Sequence, residues 1–306
     1  MARRLLLLTV AALTACAPRG GGTAAGPAPA AAPPPPPPPP QTVSSGAPPV
    51  APALPGPTRL DGVRYGPSAL RYLVHRRLRL QQALGEQVQA QDLGARIYVA
   101  ATITGPADSA GYPATFIVDS ILPDSGTPQF VVDNVSRARR LIFSGRLAAR
   151  GEFVNAVASD SALAQSLVQL LANFRDFLPR VPPQGLTLGA AWTDTVETTQ
   201  KGAGSEMSRR SVIQSSVPAW EDRGDARSLR LEANATYRVA GGGQNAGQPF
   251  EVSGAGSYTA LAFVAADGRY LGGESRDSAT FTYRLPVQGI AVPVVQVTRT
   301  TVAVLP

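Results

Sequence analysis

The chain has 306 residues, a mass of 31.8 kDa and a formal charge of +7, with 16% charged residues, 30 Gly, 29 Pro, one Cys and one His. A single Cys excludes an internal disulfide, and one Cys with one His excludes a Cys/His zinc centre, which needs three or four such ligands. Any Ser-His or Cys-His nucleophile would have to use His75.

The first 16 residues read MARRLLLLTVAALTAC. Arg3 and Arg4 form a basic start, and Leu5 to Leu13 an apolar stretch too short to cross a ~30 Å hydrocarbon core as a helix. Small residues follow, then Cys16, the only thiol of the chain.

Leu13-Thr14-Ala15-Cys16 resembles the bacterial lipobox. The resemblance implies that residues 1–15 are a lipoprotein signal peptide, removed before Cys16. It implies that the Cys16 sulfur is diacylated and its new amine usually acylated too. Two or three acyl chains anchor a protein stably where one is marginal. Acylation also removes a lone thiol that would invite intermolecular pairing. By the same family's sorting rule, Ala17 lacks the Asp that retains a lipoprotein in the inner membrane. An outer-membrane destination is then expected in a cell with two membranes.

Residues 16–59 are expected to be a disordered tether. They hold Ala, Gly, Pro and Ser with almost nothing aromatic. Sixteen prolines lie in 17–58, eight of them consecutive from Pro33 to Pro40. Such a stretch buries too little apolar surface to offset its ordering entropy. The proline run predicts stiff polyproline II of about 25 Å, at ~3.1 Å per residue. No acidic residue precedes Asp61. Setting aside Arg3, Arg4, Arg19 and Arg59 leaves 24 basic against 21 acidic residues. The remainder is therefore only mildly basic, and no nucleic-acid partner is expected.

Residues 60–306 predict an antiparallel β domain. Alternation sets Tyr72, Val74, Leu78 and Leu80 on one side of a strand over 70–82, and 86–104 and 113–121 supply two more. A hairpin is expected over 139–154, around Gly145 to Gly151. In 227–239, Leu229, Leu231, Ala233, Ala235, Tyr237 and Val239 share one face, with Arg230, Glu232, Asn234, Thr236 and Arg238 on the other. Strands are also expected over 193–200, 206–217, 278–285 and 290–304. Asp267-Gly268 is a two-residue hairpin signal, and GGGQNAG (241–247) reads as a connecting loop.

One segment breaks the pattern. Residues 161–178 place Leu163, Leu167, Leu170, Leu171, Phe174 and Leu178 at helical spacing, which predicts a single amphipathic helix about 27 Å long. Asp160 or Ser159 would cap its start, and Pro179 follows its end.

Strands, a helix, a Pro-rich link with Gly185, Thr187, Gly189 and Trp192, then further strands resemble the LolA/LppX-like half-barrels of bacterial envelope proteins. That resemblance implies a mainly β fold: a curved antiparallel sheet covered by one amphipathic helix. It also implies a cavity for an apolar, lipid-like ligand. The candidate ligand-binding face is the lid stripe Leu163, Leu167, Leu170, Leu171 and Phe174. Ala233, Ala235, Ala260 and Ala262 mean either room for a ligand or close packing of the helix.

Other motifs yield no chemistry. His75 reads as a surface residue, and the cluster Arg71, Arg76, Arg77 and Arg79 as the solvated face of a strand, with contact to anionic lipid head groups or acidic wall polymer as the alternative. No Asp or Ser partner for His75 is assignable from the sequence. Gly241-x-Gly243 lies between strands, so it is not a dinucleotide loop. Trp220 to Asp225 reads as a polar turn rather than a calcium loop. No catalytic residue, metal or cofactor is expected, and the chain is read as a non-enzyme. Three functions fit these features: a membrane-anchored module that binds an apolar small molecule or an envelope protein, a structural lipoprotein with a filled core, and a carboxylate-based envelope hydrolase.

Overall fold

The computed structural model describes residues 62–306 apart from 85, 86, 128, 172, 173, 203, 204 and 246. The expected signal peptide (1–15), Cys16, Ala17 and the expected tether (16–59) lie outside the described residues.

Eleven strands among the described residues form one antiparallel sheet. They are β1 (Ser68–Leu84), β2 (Gln87–Ile103), β3 (Tyr112–Pro123), β4 (Ile142–Leu147), β5 (Phe153–Ala158), β6 (Ala191–Gly202), β7 (Ser205–Arg223), β8 (Ala226–Asn245), β9 (Gln248–Ala265), β10 (Tyr270–Leu285) and β11 (Ile290–Leu305). Their order is β5-β4-β3-β2-β1-β11-β10-β9-β8-β7-β6. Two meanders are thus joined where β1 meets β11, and the sheet does not close between β5 and β6.

Alternation decides which way each strand faces. On β8 the apolar set Leu229, Leu231, Ala235, Tyr237 and Val239 is buried, and Asn234, Thr236 and Arg238 are exposed. The outer face of β8 is thus polar, whereas the inward face of the sheet carries the buried apolar residues together with a set of polar ones, among them Ser211, Ser215, Gln296 and Thr298. The sheet curls inward on itself: Val217, Leu229 and Leu231 of β7 and β8 share a core with Ile97, Phe116, Phe143 and Phe153 of β2 to β5. A second apolar cluster, around Leu78, Phe250, Phe281 and Tyr283, fills the other end of the trough.

A hairpin forms at Asp267-Gly268, but its loop is longer than the two-residue turn the sequence predicts: Ala265 N donates to Arg269 O (2.8 Å) across residues 266–268, and only Gly268 of the pair has positive φ. Gly268 takes φ +86°, and a β-carbon there would meet the Arg64 carbonyl at 2.1 Å. The Gly-rich stretch 241–245 is not a loop. It continues β8 in register with β7 and β9, because glycine lets the two flanking strands approach closely.

The single helix over 161–178 does not form. Helix α2 (Ser161–Ser166) begins at Asp160, whose carboxylate accepts from Leu163 N, and Leu167 ends it. The four-residue α3 (Val168–Leu171) follows, and Phe174 has φ +53°, so the chain has left the helical path there. A nine-residue helix that the sequence reading passed over, α1 (Gln129–Arg137), packs beside β3.

The apolar stripe is buried all the same: Leu163, Leu167, Leu170, Leu171, Phe174 and Leu178 are each at most 7% exposed. The break allows Phe174 to stack on Phe116 (5.0 Å, 2° between planes) while meeting Phe143 and Phe177 edge-on. A straight helix carries its side chains on a fixed spiral, and this aromatic cluster is better served by a turn. Burial of each Leu or Phe, at about 1.5–3 kcal/mol, outweighs the lost helical turns.

Residues 174–190 then cross the open side of the sheet. Phe153 N of β5 donates to Arg175 O (3.2 Å), and Val181 N donates to Arg150 O (3.0 Å). At the far side Gly189 N donates to Val217 O (2.8 Å), and Val217 N to Ala190 O (2.9 Å). The gap between the two edge strands is therefore bridged by irregular backbone with paired polar groups.

Candidate functional site

Beneath this segment the curled sheet holds a partly open cavity of about 340 Å³. Its roof is Leu170, Leu171, Phe174, Asp176, Phe177, Leu178 and Arg180. Leu163 and Leu167, the other two members of the expected lid face, are buried in the surrounding core. Ala233, Ala235, Ala260 and Ala262 all line the floor. Their small side chains leave space that larger residues at the same register would fill.

The cavity is not uniformly apolar. Three transverse rows, fixed by strand register, cross its floor. The first runs Arg76, Thr300, Ser275, Ala260, Ala233, Ser215 across β1, β11, β10, β9, β8 and β7. The next runs Leu78, Thr298, Asp277, Tyr258, Ala235, Ile213, and the third Leu80, Gln296, Ala279, Gly256, Tyr237, Ser211. Together they lay a belt of hydroxyl, amide and charged groups between the two apolar clusters.

Asp277 is the hub of the belt. Tyr237 Oη donates to its Oδ1 at 2.5 Å, and Arg209 Nη2 stands 3.8 Å from its Oδ2. The Arg209 guanidinium lies 3.7 Å over the Tyr237 ring and donates from Nε to Ser211 Oγ at 3.1 Å. Burial pushes the Asp277 carboxyl above its ordinary value, opposed by the Tyr237 hydrogen bond and by the Arg209 and Arg76 charges. The Tyr258 phenol is pushed up to about 12, chiefly by burial. Asp176, in the roof, is open to the trough yet ringed by protein, and burial raises its carboxyl against the pull of Arg180, Arg175 and Arg209.

Arg76 differs from its neighbours. The sequence reading grouped it with Arg71, Arg77 and Arg79 on a solvated face, and the structure corrects this. Arg71, Arg77 and Arg79 point outward, toward Asp119 (3.0 Å), Asp124 (3.3 Å) and Asp92 (4.0 Å). Arg76 points inward, between Val74 and Leu78, into the cavity. Its Nε is sealed from solvent with no hydrogen-bond partner. Burial lowers its affinity for the proton, and the Asp277 carboxylate and Tyr258 partly restore it. The period of two that assigned Tyr72, Val74, Leu78 and Leu80 to one face already included residue 76.

His75 does have an acidic neighbour, which sequence alone could not supply across 49 residues. Its Nε2 lies 3.0 Å from Asp124 Oδ2 and 3.1 Å from Arg77 Nε, and Arg77 Nε also donates to Asp124 Oδ2 at 3.3 Å. Although desolvation pushes the Asp124 carboxyl up, His75 and Arg77 hold it below its ordinary value. This trio lies on the outward face, remote from the cavity. No group of three or more His, Cys, Asp or Glu side chains suited to a metal ion occurs among the described residues.

No protein-family model matches the chain, and no curated protein matches it. Among solved structures, it is similar to the crystal structure of OccK2 (OpdF) of Pseudomonas aeruginosa, at 8% identity over 78% of this chain and 98% of that one, with a TM-score of 0.28. A likeness that distant carries no functional argument.

Proposed function

We propose that the chain is a lipid-anchored protein of the bacterial envelope whose β domain holds a small amphiphile in the trough. The anchor is the acylated Cys16, and the absence of Asp at position 17 favours the outer membrane of a two-membrane cell. Residues 17–58 act as the spacer between membrane and domain.

The observation that carries the ligand reading is the cavity of about 340 Å³, roofed by Leu170, Phe174 and Phe177 and floored by four alanines. A domain that served only as a filled structural block would gain stability by filling such space, since a void in a core costs free energy. Leaving it lined by small residues suits a ligand. An apolar wall with a few convergent polar groups is the ordinary composition of a small-molecule site.

Two measurements test the reading. Native mass spectrometry of the protein purified from its own host should show a co-purifying small molecule, and a bare chain in every preparation would count against it. Cys16→Ala should release the protein from the membrane fraction or leave the leader uncut. Normal processing with full membrane retention would remove the anchor.

A further inference from the structure

We infer that Arg76 is the recognition group for an anionic headgroup, and that the occupant of the cavity is a single-chain amphiphile with that head at the polar belt and its tail under Phe174 and Phe177. The inference rests on the ligand-binding reading above and specifies its chemistry.

Three arginines line the cavity, and two have partners. Arg209 is engaged by Asp277, Ser211 and the Tyr237 ring. Arg180 pairs with Glu152 through Nη2 at 3.1 Å, although its Nε is also sealed without a hydrogen-bond partner. Arg76 has no hydrogen bond and no ion pair with any described residue, and its Nε is fully sealed. Asp277 is the carboxylate whose charge it feels, and that carboxylate already accepts from Tyr237 and faces Arg209.

Arg76 is half-buried with its Nε sealed, and a sealed donor without a partner is costly, so such groups persist where something else satisfies them. Its fork of donors matches a carboxylate or phosphate. Thr300 and Ser275, next to Arg76 in the same transverse row, add hydroxyls on the cavity wall. Asp277, Asp176 and Glu274 also line the cavity and disfavour an anion, Glu274 lying on the outward-facing parity of β10 and exposed. Asp277 is offset by Arg209, and Asp176 belongs to the roof near Arg180 and Arg175.

The cavity, about 340 Å³, is at the small end of ligand pockets and suits one medium chain with its head.

The test uses the full chain carrying Cys16→Ala, so that no attached acyl chain competes for the cavity. Decanoate, decyl phosphate, decanol and decyltrimethylammonium are titrated by calorimetry at one pH and salt concentration. Decanoate or decyl phosphate should bind at least about tenfold tighter than decanol, the scale of a charge-assisted hydrogen bond, and the cation weaker still. Whichever anion binds tighter identifies the head as carboxylate or phosphate. Arg76→Met, which keeps the length and removes the charge, should abolish the preference for the anion while decanol still binds.

Equal binding of decanoate, decyl phosphate and decanol, or a preference unchanged in Arg76→Met, overturns the role of Arg76 and leaves the cavity reading standing. Binding of none of the four overturns both. Should Arg76→Met fail to fold, the Arg76 Nε–H resonance of the Arg76-containing chain decides. It should shift on adding the anion and not on adding decanol, and no shift overturns the inference.

Discussion

The ring of Tyr237 lies over Gly256, its direct cross-strand neighbour, so closely that a β-carbon on residue 256 would stand 2.3 Å from Tyr237 Cζ. The bare backbone lets the ring lie flat along the sheet and carry its hydroxyl to Asp277 on the strand beyond.

Gly256→Ala should therefore lift the ring and break that hydrogen bond, at about 1–3 kcal/mol of stability. Denaturant unfolding measures the loss. In a Tyr237→Ala background the same alanine should cost far less, and simple additivity of the two changes would show that ring and glycine are not coupled.

The two ends of the sheet are clasped by one ion pair. Arg150, in the turn between β4 and β5, places Nη2 2.6 Å from both carboxylate oxygens of Asp194 on β6. Its Nε also donates to Val181 O at 3.4 Å. Asp194→Asn should cost about 1–2 kcal/mol, between the values typical of exposed and buried pairs. Hydrogen exchange should rise first at Val181 and Gly189, whose amides pair across the gap. Unchanged protection there would mean that the backbone alone holds the edges together.

Leu167 is 2% exposed and lies between the two short helices. Leu167→Asp places a charge in the core with no partner, at several kcal/mol before relaxation. The variant should unfold, or bind an apolar dye while retaining its strand signal by circular dichroism. Phe174→Ala should lose about 3–5 kcal/mol, the range for a buried Phe. Wild-type melting of both variants would show that this segment does not cover the sheet.

Asp176 gives a pH-dependent test. Burial raises its carboxyl above the ordinary 3.8, so the folded state binds this proton more tightly than the unfolded state does. Stability attributable to the group then falls as pH rises from 3.8 through the raised value, and the penalty is complete above it. Asp176→Asn should be more stable than wild type at neutral pH, with the gain shrinking on acidification toward pH 3.8. Denaturant midpoints at a series of pH values check this. A gain independent of pH would assign it to something other than the carboxylate charge.

Strands were legible because a half-buried sheet writes its two faces directly into alternate residues, as 227–239 does. The hairpin at 267–268 was legible for a similar local reason, since few residues besides Gly accept φ +86°. Helix 161–178 misled because helical spacing of Leu and Phe reports only that those residues are buried. The Phe116, Phe143, Phe174 and Phe177 cluster that breaks the helix is drawn from distant parts of the chain. Arg76 was within reach, since its parity is that of Val74 and Leu78, and its charge concealed it. The contact of Tyr237 with Asp277 spans 40 residues and depends on the register of three strands, which no local pattern encodes.

The seam between β1 and β11 has a consequence for how the domain is made. These strands pair over twelve residues, from Arg71 with Leu305 to Gln82 with Val294, and are the first and last strands of the sheet to be synthesised. Until β11 exists, the meander of β1 to β5 carries a long unpaired edge at β1. The second meander likewise ends on an edge that only β1 covers. Each is a template for pairing with another molecule. Loop closure over more than 200 residues must precede the pairing that protects them, which makes assembly slow and dependent on late contacts. An envelope destination would require the chain to reach that compartment before the seam forms, with whatever holds nascent chains apart shielding β1 in transit.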